Sequence, residues 1–159
     1  MQIIAGKPVY SATDLVGFLA CSHLTDLERC NQLGLVKKPQ RSDPELDIIV
    51  KRGLEHEQTY IERLRADGRD VHDYSADRPD DMDRGAFYRQ RAAIARAAIE
   101  RGDDVIFQAC FFDGTWLGFA DFLLRIDDPD APLGWSYEVA DTKLARSVKA
   151  GALLQICVY

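Results

Sequence analysis

Residues 104–126 read DVIFQACFFDGTWLGFADFLLRI. Two apolar, aromatic-rich runs, DVIFQACFF (104–112) and TWLGFADFLLRI (115–126), flank Asp113-Gly114. Aromatic and β-branched residues suit strands, and Asp-Gly between two such runs is a strong hairpin signal. The stretch therefore predicts an antiparallel pair. A third run, WSYEVADTK (135–143), follows the Asp- and Pro-rich turn DDPDAPLG (127–134). Three consecutive strands occupy the second half of the chain.

Working outward, the first half reads as helices. YSATDLVGFLACSHLTDLERCNQLG (10–34) predicts one helix, capped by Ser11 or Thr13, running through Leu15, Phe18 and Leu19 towards a stop near Gly34. DPELDIIVKRGLEHEQTYIERLRADG (43–68) predicts a long helix from Asp43-Pro44 to Gly68. Its Ile48, Ile49, Leu54, Tyr60, Ile61 and Leu64 form one broad apolar face. RDVHDYS (69–75) suggests a short edge strand and ADRPDDMD (76–83) an acidic loop. RGAFYRQRAAIARAAIERG (84–102) predicts a helix ending at Gly102. ARSVKAGALLQICVY (145–159) predicts a last helix with Leu153, Leu154, Ile156 and Cys157 mostly buried. Helices, three strands and a helix make a mixed α/β architecture. The chain is expected to form one domain, 1–159, with a helical extension (1–44) and a core (45–159). It stops inside an apolar run, so a final strand, and further modules, are expected beyond Tyr159.

Composition bounds the partners. The 159 residues are 47% hydrophobic and 29% charged, with a formal net charge of −6. That suits a folded core and argues against a protein that coats DNA by charge alone. No charged-then-apolar leader opens the chain and no apolar stretch is long enough to span a bilayer, so a cytoplasmic location is expected. The four cysteines, 21, 30, 110 and 157, include no CxxC pair, which argues against a self-contained zinc site. Cys110 and Cys157 lie in apolar runs and are expected to be buried thiols.

Chemistry concentrates in the strands. Asp141 and Lys143 lie two apart and share a face if the strand continues. Asp121 sits amid Phe119, Phe122, Leu123 and Leu124, and an acid there needs an explanation. Were an antiparallel neighbour to bring Asp121 near Asp141, the two carboxylates would make a hard-oxygen site suited to Mg²⁺ or Mn²⁺. The competing account is plain: charges at strand ends are often solvated, and D-x-K is a short pattern. On the long helix, Gly53 precedes His56 and Glu57; a mid-helix glycine costs about 1 kcal/mol against alanine, which close approach of another backbone would explain. Gln155 and Tyr159, four apart, share a face of the last helix. Arg84, Arg89, Arg91, Arg96 and Arg101 could meet phosphates or form a solvated face, with Asp80, Asp81 and Asp83 close by in sequence.

In order, Gly53–His56–Glu57, Gly118 to Asp121, Asp141–Thr142–Lys143 and Gln155 to Tyr159 resemble the RecB-type branch of the PD-(D/E)XK nuclease superfamily. The resemblance spans roughly residues 45–159. With SATDLVGFLACSHLTDLER and DDVIFQACFFDGTWLGFADFLLRI, it is closest to bacterial RecB-like nucleases whose nuclease module precedes a ribonuclease-H-like or helicase module. It implies a restriction-endonuclease-like core of helix, three-stranded mixed sheet and helix. It implies His56, Asp121 and Asp141 as metal ligands, with the carbonyl of Val139 or a neighbour contributing. Lys143 would position water and steady the phosphate; Gln155, Tyr159 and Glu57 would contact DNA or support the site. The implied activity is metal-dependent hydrolysis of DNA, single-stranded or end-containing, in repair or recombination-type processing. Some relatives hold an iron–sulfur cluster that uses one upstream cysteine, a position Cys21 or Cys30 could fill; the other three would fall after Tyr159, so no cluster is expected here. His23 is expected to pack between helices. The alternative is a non-cleaving nucleic-acid-binding module on the same fold, serving a fused helicase.

Overall fold

A computed structural model describes residues 1–39, 44–142 and 149–158. The anticipated hairpin forms β4 (Val105–Phe112) and β5 (Leu117–Asp127), closed at Asp113-Gly114. The Asp113 carboxylate accepts from the backbone N–H groups of Thr115 and Trp116, both at 2.7 Å, and Gly114 takes φ +94°. β6 (Trp135–Ala140) pairs antiparallel with β5, and β3 (Val71–Asp73) pairs parallel with β4. The sheet order is β3-β4-β5-β6, a mixed four-stranded sheet where three strands were expected. The fourth, β3, lies at one edge of the sheet within residues 69–75, where a short edge strand was expected. The chain is thus an α/β protein.

Two helices cover the sheet. α3 (Pro44–Ala66) brings Ile61 and Leu64 onto Val105 and Phe122, with Tyr60 edge-on to Phe122 at 4.9 Å between ring centroids. α4 (Arg84–Arg101) is capped by Asp83, whose carboxylate accepts from Ala86 N–H at 2.8 Å, and ends at Gly102 with φ +77°. Its Ala95 and Ala98 pack on Ile106, Ala109, Ala120 and Leu123. Small side chains there let the helix lie close to the sheet. The end of α4 is tied down by polar contacts that satisfy terminal carbonyls. Trp135 Nε1 donates to Ile99 O at 3.1 Å and Arg125 to Gly102 O at 3.1 Å, with the Arg125 guanidinium 4.7 Å over the Trp135 ring. Asp103, nearly buried, accepts from Arg101 (2.7 and 2.8 Å) and from Tyr74 OH (2.5 Å).

The N-terminal region departs from expectation in two ways. Residues 2–9 form an antiparallel hairpin, β1 (Gln2–Ile4) and β2 (Lys7–Val9), turned by Ala5 and Gly6 with φ +48° and +76°. Its Ile4 and Val9 pack with Cys110, Leu117 and Tyr88. The single helix expected over 10–34 is two, α1 (Ala12–Ala20) and α2 (Ser22–Gln32), broken at Cys21, whose backbone is extended. The Ser11 backbone N–H donates to the Asp14 carboxylate at 2.7 Å, so Ser11 is the cap.

Burial corrects several expectations. The apolar face of α3 is covered only in its C-terminal half; Ile48, Ile49 and Leu54 are 56%, 57% and 61% exposed. Among the described residues, the sheet packs against the last turns of this helix, at Tyr60, Ile61 and Leu64. On α5 (Ala150–Ile156) Leu153 is exposed, Leu154 and Ile156 are half-buried, and Cys157 just after it is exposed rather than a buried thiol. α5 packs against α1, with Gly151 close to Val16. His23 is exposed, so it does not pack between helices. A Cβ at Gly53 would meet nothing within 4 Å among the described residues, so no described backbone approaches it closely. No described helix is long and apolar enough to cross a membrane.

Candidate active site

The strand register sets the geometry. β5 and β6 pair as Leu124↔Glu138, Leu123↔Val139 and Phe122↔Ala140. The pairing ends there with β6; continued by one residue, the same register would bring Asp141 opposite Asp121. Directly opposed residues share a face with Cβ atoms about 4.5–5.5 Å apart. Both Asp141 carboxylate oxygens and the Thr142 hydroxyl oxygen are shut off from solvent, while Asp121 is half-buried. A carboxylate withdrawn from water is costly unless charge or hydrogen bonding answers it. Asp121 and Asp141 each take part in further interactions. Glu138 is exposed and one step out of phase with Asp141.

Asp121 has a neighbour that sequence reasoning did not select. Gln108 Nε2 donates to Asp121 Oδ1 at 3.4 Å. The β4–β5 ladder joins Phe107 to Phe122 and Ala109 to Ala120 and is interrupted between them, where Gln108 faces Asp121. The available signal was a lone amide inside the apolar run VIFQACFF.

α3 reaches this part of the sheet from one side. Tyr60 packs on Phe122, the residue after Asp121. His56 and Glu57 lie one turn earlier. His56 is exposed, whereas Glu57 is half-buried, in line with Gly53, Ile61 and Leu64. Gln155, on α5, is half-buried. Both Glu57 and Gln155 take part in further interactions. Lys143 and Tyr159 lie outside the described residues. Among the described residues no three His, Cys, Asp or Glu side chains gather into a metal-binding group. The carboxylates at 121 and 141, each next to the last β5–β6 pair and partly withdrawn from water, are nevertheless the donors a hard divalent cation takes. They fit Mg²⁺ or Mn²⁺ better than a soft, thiolate-seeking metal.

Comparison with protein-family models, with curated proteins and with solved structures gave no match.

Proposed function

We propose that the chain is a metal-dependent nuclease domain of RecB-like, restriction-endonuclease-like type that hydrolyses phosphodiester bonds in DNA during repair or recombination-type processing. The observation that supports this reading is the β5–β6 register, whose last pair, Phe122↔Ala140, leaves Asp121 and Asp141 as the next residue on each strand. Asp121 and Asp141 hold the cation, and His56 is offered from the turn of α3 that precedes Tyr60. Bound Mg²⁺ or Mn²⁺ supplies Lewis-acid polarisation of the phosphate and a water of lowered pKa. Lys143, two residues beyond Asp141, steadies the charge that develops on the phosphate. Glu57, Gln155 and Tyr159 support the site or meet the DNA. Burial of the Asp141 oxygens keeps bulk water from competing with that charge for the carboxylate.

A second reading, a nucleic-acid-binding module that does not cut and serves a fused helicase, draws support from the exposure of His56 outside any described three-ligand group. One experiment separates the two. End-labelled single-stranded and duplex DNA are incubated with the chain and Mn²⁺ or Mg²⁺, alongside Asp121→Asn, Asp141→Asn and Lys143→Ala. The nuclease reading expects cleavage that chelator abolishes and that each substitution lowers at least about 100-fold. DNA binding without cleavage by the wild type, or cleavage that survives all three substitutions, excludes it.

A further inference from the structure

Gln108 has φ +58° in the middle of β4. A side-chain-bearing residue seldom adopts that conformation, and such residues persist only where the surroundings over-determine them. The other positive-φ residue with a side chain among those described is Ala5, and there the β1–β2 turn accounts for it. No turn accounts for Gln108. The strand β4 continues on either side of it, and pairing with β5 holds at Phe107 and at Ala109.

The backbone reversal changes which way both strands face. Regular alternation puts residues three apart on opposite faces. Yet Ile106 and Ala109 lie in one core cluster, beneath α4, and so do Ala120 and Leu123. Before the break, Val105 and Phe107 with Phe122 and Leu124 serve α3; after it, Ala109, Phe111 and Ala120 serve α4. The switch falls at the Gln108–Asp121 pair, and its local product is the amide of Gln108 on Oδ1 of Asp121 at 3.4 Å.

We propose that Gln108 is a positioning residue for Asp121. Its left-handed backbone turns the amide onto the carboxylate and fixes the rotamer in which Asp121, with Asp141, takes a divalent cation. The inference rests on the metal-site reading given above and adds a residue to it. Groups that orient a ligand carboxylate are worth about 10–100-fold in metal affinity. A merely architectural role makes a different demand: the side chain would matter to stability and not to the cation.

Two substitutions in the full chain separate these roles. Gln108→Gly accepts φ +58° without steric cost but deletes the amide. Gln108→Asn tolerates the left-handed backbone but carries its amide one carbon short. Thermal unfolding without metal and Mn²⁺ affinity by titration calorimetry are measured for both, with wild type and Asp121→Asn as references. The expected result is a midpoint for Gln108→Gly at or above wild type, an Mn²⁺ affinity about 10–100-fold weaker in both Gln108 variants, and a larger loss in Asp121→Asn. Mn²⁺ affinity within about twofold of wild type in the Gln108 variants, while Asp121→Asn loses it, overturns the positioning role and leaves the nuclease reading standing. Should Gln108→Gly unfold below wild type, Gln108→Asn decides, and wild-type affinity in that variant likewise overturns the role. Absence of Mn²⁺ binding by wild type, or undiminished binding by Asp121→Asn, overturns the site reading itself and this inference with it.

Discussion

Phe122 is the residue through which α3 is fastened to the sheet, and its truncation gives a measurable test of that attachment. It is fully buried, packs with Ile61, Leu64 and Val105, and meets Tyr60 edge-on at 4.9 Å and Phe107 at 5.0 Å between ring centroids. Phe122→Ala forfeits the transfer energy of the ring and leaves a cavity, together costing about 3–5 kcal/mol. The two ring pairs are each worth about 0.5–1.5 kcal/mol beyond burial and are part of that loss. For a chain of this size the midpoint should fall by about 6–20 °C. Thermal unfolding by far-ultraviolet circular dichroism measures that midpoint and urea unfolding by tryptophan fluorescence the free-energy loss; Phe122→Leu, which keeps most of the volume, should cost about 1–3 kcal/mol and guards against outright unfolding. Ile48→Ala, on the exposed end of the same helix, should stay within about 0.5 kcal/mol of wild type. A loss below about 1.5 kcal/mol for Phe122→Ala, or equal losses for Phe122→Ala and Ile48→Ala, would refute the placement of α3.

Two further outcomes follow from groups away from the site. Burial alone would raise the Asp103 carboxyl, but hydrogen bonds from Arg101 and Tyr74 and the nearby His72 hold it below its ordinary value. Its stabilising share is therefore present above the unfolded carboxyl pKa, about 3.9, and lost as pH falls through the lower folded value; Asp103→Asn should flatten the acid limb of a stability-against-pH curve, and an unchanged limb would sink the assignment. Burial pushes the Cys110 thiol up to about 11, whereas Cys21 and Cys157 are exposed. At pH 8 a chromogenic thiol reagent should modify Cys21 and Cys157 rapidly and Cys110 only in denaturant; mass mapping that finds Cys110 among the fast thiols would contradict the packing of β4.

Local chemistry decided which elements were legible. The β4–β5 turn could be read because Asp113 and Gly114 carry it themselves, the carboxylate accepting two backbone N–H groups and the glycine taking positive φ. The β1–β2 turn uses Ala5 where asparagine or aspartate is usual, so it gave no comparable signal. Neither proline nor glycine marks the break at Cys21, and the helical pattern ran on through it. Burial was less legible still. Ile48, Ile49 and Leu54 continue the apolar pattern of Ile61 and Leu64, yet among the described residues the sheet packs against the last turns of α3. A thiol in an apolar run was buried at 110, in the centre of the sheet, and exposed at 157, past the end of a helix lying on α1.

The candidate site divides along the same line. Asp121 and Asp141 stood out because charge in an apolar strand demands a cause, and the β5–β6 pairing ends one residue short of both. Gln108 carries a weaker form of that signal, an uncharged amide, and what distinguishes it is a backbone angle that composition and periodicity do not encode. Its position has a physical logic nonetheless. β4 and β5 each shift their alternation by one residue there: Ile106 and Ala109 both lie beneath α4, as do Leu123 and Ala120. At that shift neither Gln108 nor Asp121 joins an apolar cluster, and both are half-buried. A strand centre that packed regularly would have to bury Asp121 in hydrocarbon; the switch point admits a carboxylate without opening the core on either side. The strain at Gln108 and the tolerance for charge at Asp121 are then two consequences of one shift in strand alternation, and a substitution that restores regular alternation in β4 should evict the carboxylate along with the strain.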